Sequence, residues 1–237
     1  MKKVFLLFCI SISACIAQGQ VIISLLLGDL LNTGKIEFGL DGGANFSALN
    51  GLNGTKSITG FHLGFYFDFK LENNWMIHTG VIVKSPLGAN GINPYSVNDA
   101  LLDSAFIGGE VSRNLRYFNV PVLAKYMLPS HFYAEAGIQL GLMNKAFDEF
   151  TQEVNEPEDL KYKLDIEKQY HPLDAGIVAG IGYRMLKGNG MNLSVRYYYG
   201  MIDIKIDDSE PDVFNRSLYL AVGIPIGATK AKEKRGE

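Results

Sequence analysis

Charged side chains recur at alternate positions along otherwise apolar segments of this 237-residue chain. Glu37, Asp41, Asp68, Glu135 and Asp174 supply carboxylates, Lys70, Lys84, Lys125, Arg184 and Arg196 supply cations, and His78 adds an imidazole. Opposite charges held in a narrow, poorly hydrated space can do two things. They can relay a proton or an ion. Or they can pair and lock the space, because an unpaired buried charge is costly. We read the set as such a lock. The hairpin around Asn73 sets Asp68 opposite His78, and the hairpin around Ser130 sets Lys125 opposite Glu135.

Other chemistry finds less support. Lipid hydrolysis would need a serine activated by a histidine. The histidines are His62, His78, His131 and His171, and none has a serine at a persuasive position. No catalysis is therefore expected. Carboxylates cluster between Phe147 and Lys168 and again between Asp203 and Asp212. Their spacing does not match an EF-hand, and a solvated acidic surface is the simpler reading. The only cysteines, Cys9 and Cys15, lie near the N-terminus, so neither a thiol metal site nor a redox site is expected. No cofactor is expected. A net charge of −3 gives no reason to expect nucleic acid.

The elements that must position these charges are strands. In Gly60 to Leu71, Phe61, Leu63, Phe65, Phe67 and Phe69 fall on one face, and His62, Gly64, Tyr66, Asp68 and Lys70 on the other. A period of two is the mark of a strand. One face is phenylalanine and the other mixes glycine, tyrosine and charge. A lipid-facing exterior around a polar, filled interior explains both. The pattern returns at Ile36–Asn45, Trp75–Lys84, Tyr117–Tyr126, Phe132–Gly141, Asp174–Arg184, Asn192–Tyr199 and Ser217–Ile224, giving eight segments.

The connections distinguish a membrane barrel from a soluble sandwich. Glu72–Asn74, Pro129–His131 and Leu186–Gly190 read as tight turns. Asn50–Lys56, Ser85–Asn114, Asn144–Tyr170 and Asp203–Asn215 are longer, and the two kinds alternate. Outer-membrane barrels have short periplasmic turns and long external loops in that order. The expected fold is all-β: one eight-stranded antiparallel up-and-down transmembrane β-barrel, residues 35–227. Eight strands leave an interior just wide enough for side chains.

Residues 1–17 read as a signal peptide: Lys2 and Lys3, an apolar run from Val4 to Ile16, and Ala17 before Gln18. The alternative is Ile12-Ser13-Ala14-Cys15, which resembles a lipobox and would make Cys15 a lipid anchor. Residues 18–34 are a short helix at the barrel mouth or an extended leader. Residues 228–237 are a charged tail.

Three stretches carry a family resemblance. Gly34 to Ser47 resembles the first strand of the PorT-like outer-membrane β-barrel domain family. Leu115 to Tyr126 resembles its central strand, with Pro121 followed by apolar residues, Lys125 and Tyr126. Asp174 to Tyr183 resembles its sixth strand. The chain departs from that pattern at its end, where Lys230 to Glu237 follow in place of a final aromatic residue. The resemblance implies a barrel of the Gram-negative outer membrane with a structural or interaction role, associated with secretion or the envelope. Its expected partners are outer-membrane lipid and lipopolysaccharide, and other envelope proteins through external loops, above all Ser85–Asn114. A small-solute or ion pore is the alternative, and a lipid-modifying enzyme is the second.

Overall fold

The computed structural model describes residues 35–52, 54–155, 158–185, 190–207, 209 and 211–226. The expected signal peptide, the leader or short helix and the tail lie outside them.

Ten strands form one antiparallel sheet: β1 (Ile36–Asn50), β2 (Lys56–Lys70), β3 (Trp75–Lys84), β4 (Pro86–Ile92), β5 (Glu110–Met127), β6 (Phe132–Asn155), β7 (Glu158–Asp165), β8 (Leu173–Arg184), β9 (Asn192–Gly200) and β10 (Phe214–Pro225). The sheet closes on itself. β1 pairs with β2, β2 with β3, β3 with β5, β5 with β6, β6 with β8, β8 with β9, β9 with β10, and β10 with β1. That is a ring of eight places. β4 shares the place of β3, lying between β2 and β5 beyond a break at Ser85. Closure gives every strand of the ring partners on both sides, while β7, outside the ring, pairs with β6 alone.

The tight turns follow from asparagine and histidine in the left-handed region. Asn73 (φ 56°) and Asn74 (φ 66°) give the two positive φ values of a two-residue hairpin. In the next hairpin the His131 amide donates to Leu128 O at 3.0 Å and His131 has φ 67°, a type I turn closed by a left-handed residue.

The long connections are a different matter, and here the structure corrects the sequence reading. β6 and β7 run past the ring as an antiparallel extension with the start of β5, from Glu110 to Arg116 on β5, which keeps β4 on its other side, and from Lys145 to Asn155 on β6. Residues expected as loop in Ser85–Asn114 include β4, the start of β5 and a one-turn helix, α1 (Ala100–Ala105). The Asp99 side chain caps α1, accepting from Leu101 N at 2.9 Å.

The burial pattern is inside out relative to a water-soluble fold. Leu142, Leu173, Ile177 and Ile181 are more than half exposed, whereas Asp68, Lys125 and Glu135 are 0–3% exposed. At one rim the outward rings pack in pairs: Trp75 on Tyr126 and Phe132 on Tyr183, both at 4.9 Å between centroids. Inside, glycine makes room for tyrosine. Gly39 lies against the Tyr66 ring and Gly182 against the Tyr133 ring, where an added methyl would overlap.

Candidate functional site

The interior near the tight-turn end is held by ion pairs that span the ring. Arg196 on β9 donates through Nε to Glu135 Oε1 at 2.5 Å and through Nη1 to Asp41 Oδ2 at 2.7 Å. Those carboxylates come from β6 and β1, on either side of the lumen. Asp68 accepts from Lys125 Nζ at 2.9 Å, and its other oxygen lies 2.6 Å from His78 Nδ1. Arg184 donates to Glu37 at 2.5 Å, and Tyr66 OH donates to the other Glu37 oxygen at 3.4 Å. The Lys125 ammonium also sits 4.1 Å over the Tyr133 ring. Each charge thus meets an opposite one, as the cost of burying it requires. The space left between Asp41, Tyr66, His78, Lys125 and Arg196 is about 10 Å³, room for a single water.

Most of the sequence-predicted set comes together here, with four corrections. Lys70 is exposed at the end of β2 and belongs to no interior pair. Lys84 points outward, because a register shift at Leu63/Gly64 sets it opposite the outward Leu63; its ammonium lies 6.0 Å over the Phe61 ring. Asp174 is buried but accepts from Asn215 Nδ2 at 2.8 Å, with no ion pair among the described residues. Lys125 is opposite Glu135 in register, as expected, yet its ammonium reaches Asp68 two places round the ring.

Farther along, charge gives way to apolar side chains. Leu123, Val178, Tyr198 and Tyr219 pack across the middle. Beyond them Leu49, Leu87, Leu115, Tyr117, Ile166, Tyr170, Ile204 and Val213 form a second cluster, closing the other end of the ring. Ile166, Tyr170, Ile204 and Val213 of this plug come from connections rather than strands. The His171 amide donates to Ile204 O at 2.8 Å, and Ile204 N donates to Val213 O at 3.0 Å, tying two connections together over the interior. Asp203 fixes the bend by accepting from Val213 N at 2.8 Å and Lys205 N at 3.0 Å.

Above the plug lies a pairing that the sequence reading missed. Arg113 donates twice to Asp148, at 2.9 and 2.6 Å, and once to Tyr170 OH at 2.8 Å. Burial opposes the Arg113 charge, but the hydrogen bonds and field of Asp148 outweigh it and raise the pKa further. Tyr95 OH donates to Asp148 at 2.7 Å, and burial together with that bond raises its pKa. A signal was present: Val111, Arg113 and Leu115 continue the alternation of β5 upstream of Tyr117. Ile166, a lone apolar residue among polar ones, gave none, and Ile204 and Val213 lie in a segment whose short apolar alternation Ile202–Ile206 does not show that it folds over the ring.

The extension also carries a cleft of about 290 Å³, between Tyr95, Val97, Leu102, Phe106, Ile107 and Phe150. The Phe150 ring packs on Tyr95 at 5.2 Å and on Phe106 at 5.7 Å. Asp103 braces the rim, accepting from Ser96 Oγ at 2.6 Å and Val97 N at 2.8 Å, bonds that lower its pKa. Leu101 and Ile107 are 81% and 75% exposed beside it.

Among the described residues, several carboxylates of the acidic segments are occupied locally. Asp148 serves Arg113, Glu149 pairs with Lys163 at 3.0 Å, Asp165 caps Glu167 N at 2.9 Å, and Asp207 caps Ser209 N at 2.9 Å. Among the described residues no group of three or more histidine or acidic side chains is placed to hold a metal ion. His62 and His78 are buried inside the ring.

An antiparallel ring with an apolar outer face, a polar interior and extensions at one end defines a β-barrel of the outer-membrane type. The sequence agrees: residues 17–205 match the outer membrane protein beta-barrel domain, and the chain belongs to that family. Its place is the outer membrane. No curated protein matches the chain. Among solved structures, it is similar to Ail, the attachment invasion locus protein of Yersinia pestis, at 13% identity and TM-score 0.41, covering 80% of this chain and 97% of that one. Neisserial surface protein A is similar at 12% identity and TM-score 0.42, covering 79% and 96%. Outer membrane protein AlkL in DMPC bilayers is similar at 15% identity and TM-score 0.36, covering 82% and 92%.

Proposed function

We propose that this protein is a closed, non-catalytic barrel with a structural or interaction role, which spans the outer membrane and presents the β5–β7 extension and α1 to partners. One observation carries the reading: the described interior is filled along its length, first by paired charges and then by the apolar plug. A lumen filled by side chains leaves the outer surfaces to do the work, and rigid barrels carry function on what they display. The apolar cleft beside Tyr95 and Phe150 is where a partner would seat.

The strand motifs Gly34–Ser47 and Leu115–Tyr126 support the narrower PorT-like assignment, with a secretion- or envelope-associated role. Export through a cleaved signal at residues 1–17 belongs to the same proposal. The test is cross-linking in the native membrane from a photoreactive residue at Ile107. A discrete protein adduct from Ile107 and none from Lys70, at the opposite rim, is the expected result. Steady unitary conductance in planar bilayers would replace this reading with the pore.

A further inference from the structure

The outward face changes abruptly where the extension begins. On β5 and β6 the last apolar pair is Phe118 opposite Leu142, both outward and exposed. The next outward pair is Arg116 opposite Lys145, past a register shift between Arg116 and Tyr117. Two cations are therefore cross-strand neighbours, with Cβ atoms about 5 Å apart. Like charges so placed repel. Among the described residues neither has a carboxylate partner: Glu149, the acid on the same face, is taken by Lys163 at 3.0 Å. Asp165, opposite Phe147, accepts from the Glu167 amide at 2.9 Å. The Phe147 ring steadies the arrangement, with the Arg116 guanidinium and the Lys163 ammonium each 5.1 Å from its centroid.

We propose that Arg116 and Lys145 form a clamp for the phosphate of a membrane lipid in the leaflet that the extension faces. The acyl chains lie along Phe118, Leu140 and Leu142, directly below the two cations. A phosphate turns the repulsion into attraction. Arginine presents a planar fork that binds phosphate through two parallel bonds, and lysine adds a compact charge beside it. The apolar band below commits the site to a lipid phosphate rather than a free one, because only a lipid engages both parts. The inference is independent of what docks in the Tyr95 cleft.

The test uses the full-length protein in detergent and diphosphoryl lipid A as the probe, with bound lipid counted by native mass spectrometry. Wild type retains the lipid, and R116Q/K145Q weakens retention by about tenfold or more, the scale of hydrogen bonds to charged groups. K70Q, at the opposite rim, retains it as wild type does. Dephosphorylated lipid A is retained poorly by wild type. Equal retention by wild type and R116Q/K145Q, or of lipid A with and without phosphate, overturns the proposal. So does an equal loss in K70Q. Displacement of the lipid by millimolar inorganic phosphate would make it a free-anion site and overturn the lipid assignment. Without lipid, R116Q/K145Q melts no lower than wild type, since the repulsion is gone; a lower melting temperature would assign the pair a structural role instead. Should the double variant not fold by heat-modifiable gel migration, K145Q alone, exposed at its site, must weaken retention severalfold or the clamp is wrong.

Discussion

The two ends of the interior are closed by different physics. Near the tight turns, side chains meet as ion pairs across the ring, with Arg196 joining β9 to β6 and β1, Lys125 joining β5 to β2, and Arg184 joining β8 to β1. At the other end Ile166, Tyr170, Ile204 and Val213 pack on Leu49, Leu87 and Leu115. The first closure draws on seven regular strands once Arg184–Glu37 and His78–Asp68 are included, and their alternation aims every second residue inward. The second requires connections to fold back over the ring. Ion pairs cost desolvation and repay it only in good geometry, so they suit the stiff wall. Apolar contacts are non-directional and tolerate the irregular backbone of connections.

That contrast can be broken or sharpened by substitution. The largest effect is expected from Asp68→Asn, which strands Lys125 without its anion. It should destabilise by about 3–5 kcal/mol in denaturant unfolding. A Lys125→Met partner should recover part of that loss, because the two side chains share one interaction. If Asp68→Asn is neutral, the paired-charge account of this end fails.

At the apolar end, Ile204→Ala should cost about 2–4 kcal/mol by opening a cavity. Bilayer recordings of that variant should stay silent, because the ion-paired end still fills the ring. Conductance in Ile204→Ala would mean that the plug alone seals the barrel. Between the two in kind lies Gly182→Ala. Its methyl would overlap the Tyr133 ring, and a loss of about 1–3 kcal/mol is expected from overpacking, read as an earlier heat-modifiable transition.

Smaller effects belong to the extension. Tyr95→Phe removes one hydrogen bond to Asp148, and should cost about 0.5–1.5 kcal/mol while leaving the Arg113 pair intact. The Lys163–Glu149 pair is largely solvated, so Lys163→Gln should change stability by less than about 1 kcal/mol, and less again at high salt.

The wall was legible in the sequence because a strand repeats every two residues. Asp68 opposite His78 follows from counting outward from the Asn73 turn, and the register agrees. Counting failed where the period was interrupted. The shift at Leu63/Gly64 turned Lys84 outward, and Gly64, one glycine among many in these strands, does not single it out. The extension failed for another reason. Its strands carry polar side chains beyond the apolar band, so Glu110–Asn114 and Lys145–Asn155 read as loop although they continue the same strands.

By itself, the sequence determined that the ring has eight places and which residues face in or out along the regular part of each strand, because alternation and turn chemistry are local properties; Lys70 at a strand end and Lys84 past a register shift escaped it. Only the tertiary structure decided which inward charge meets which, and what closes the other end. Asp41, Glu135 and Arg196 lie on three strands far apart in the chain, and meet only once the sheet has closed. The reach of a side chain across a lumen depends on stagger and diameter, which closure sets and local sequence does not.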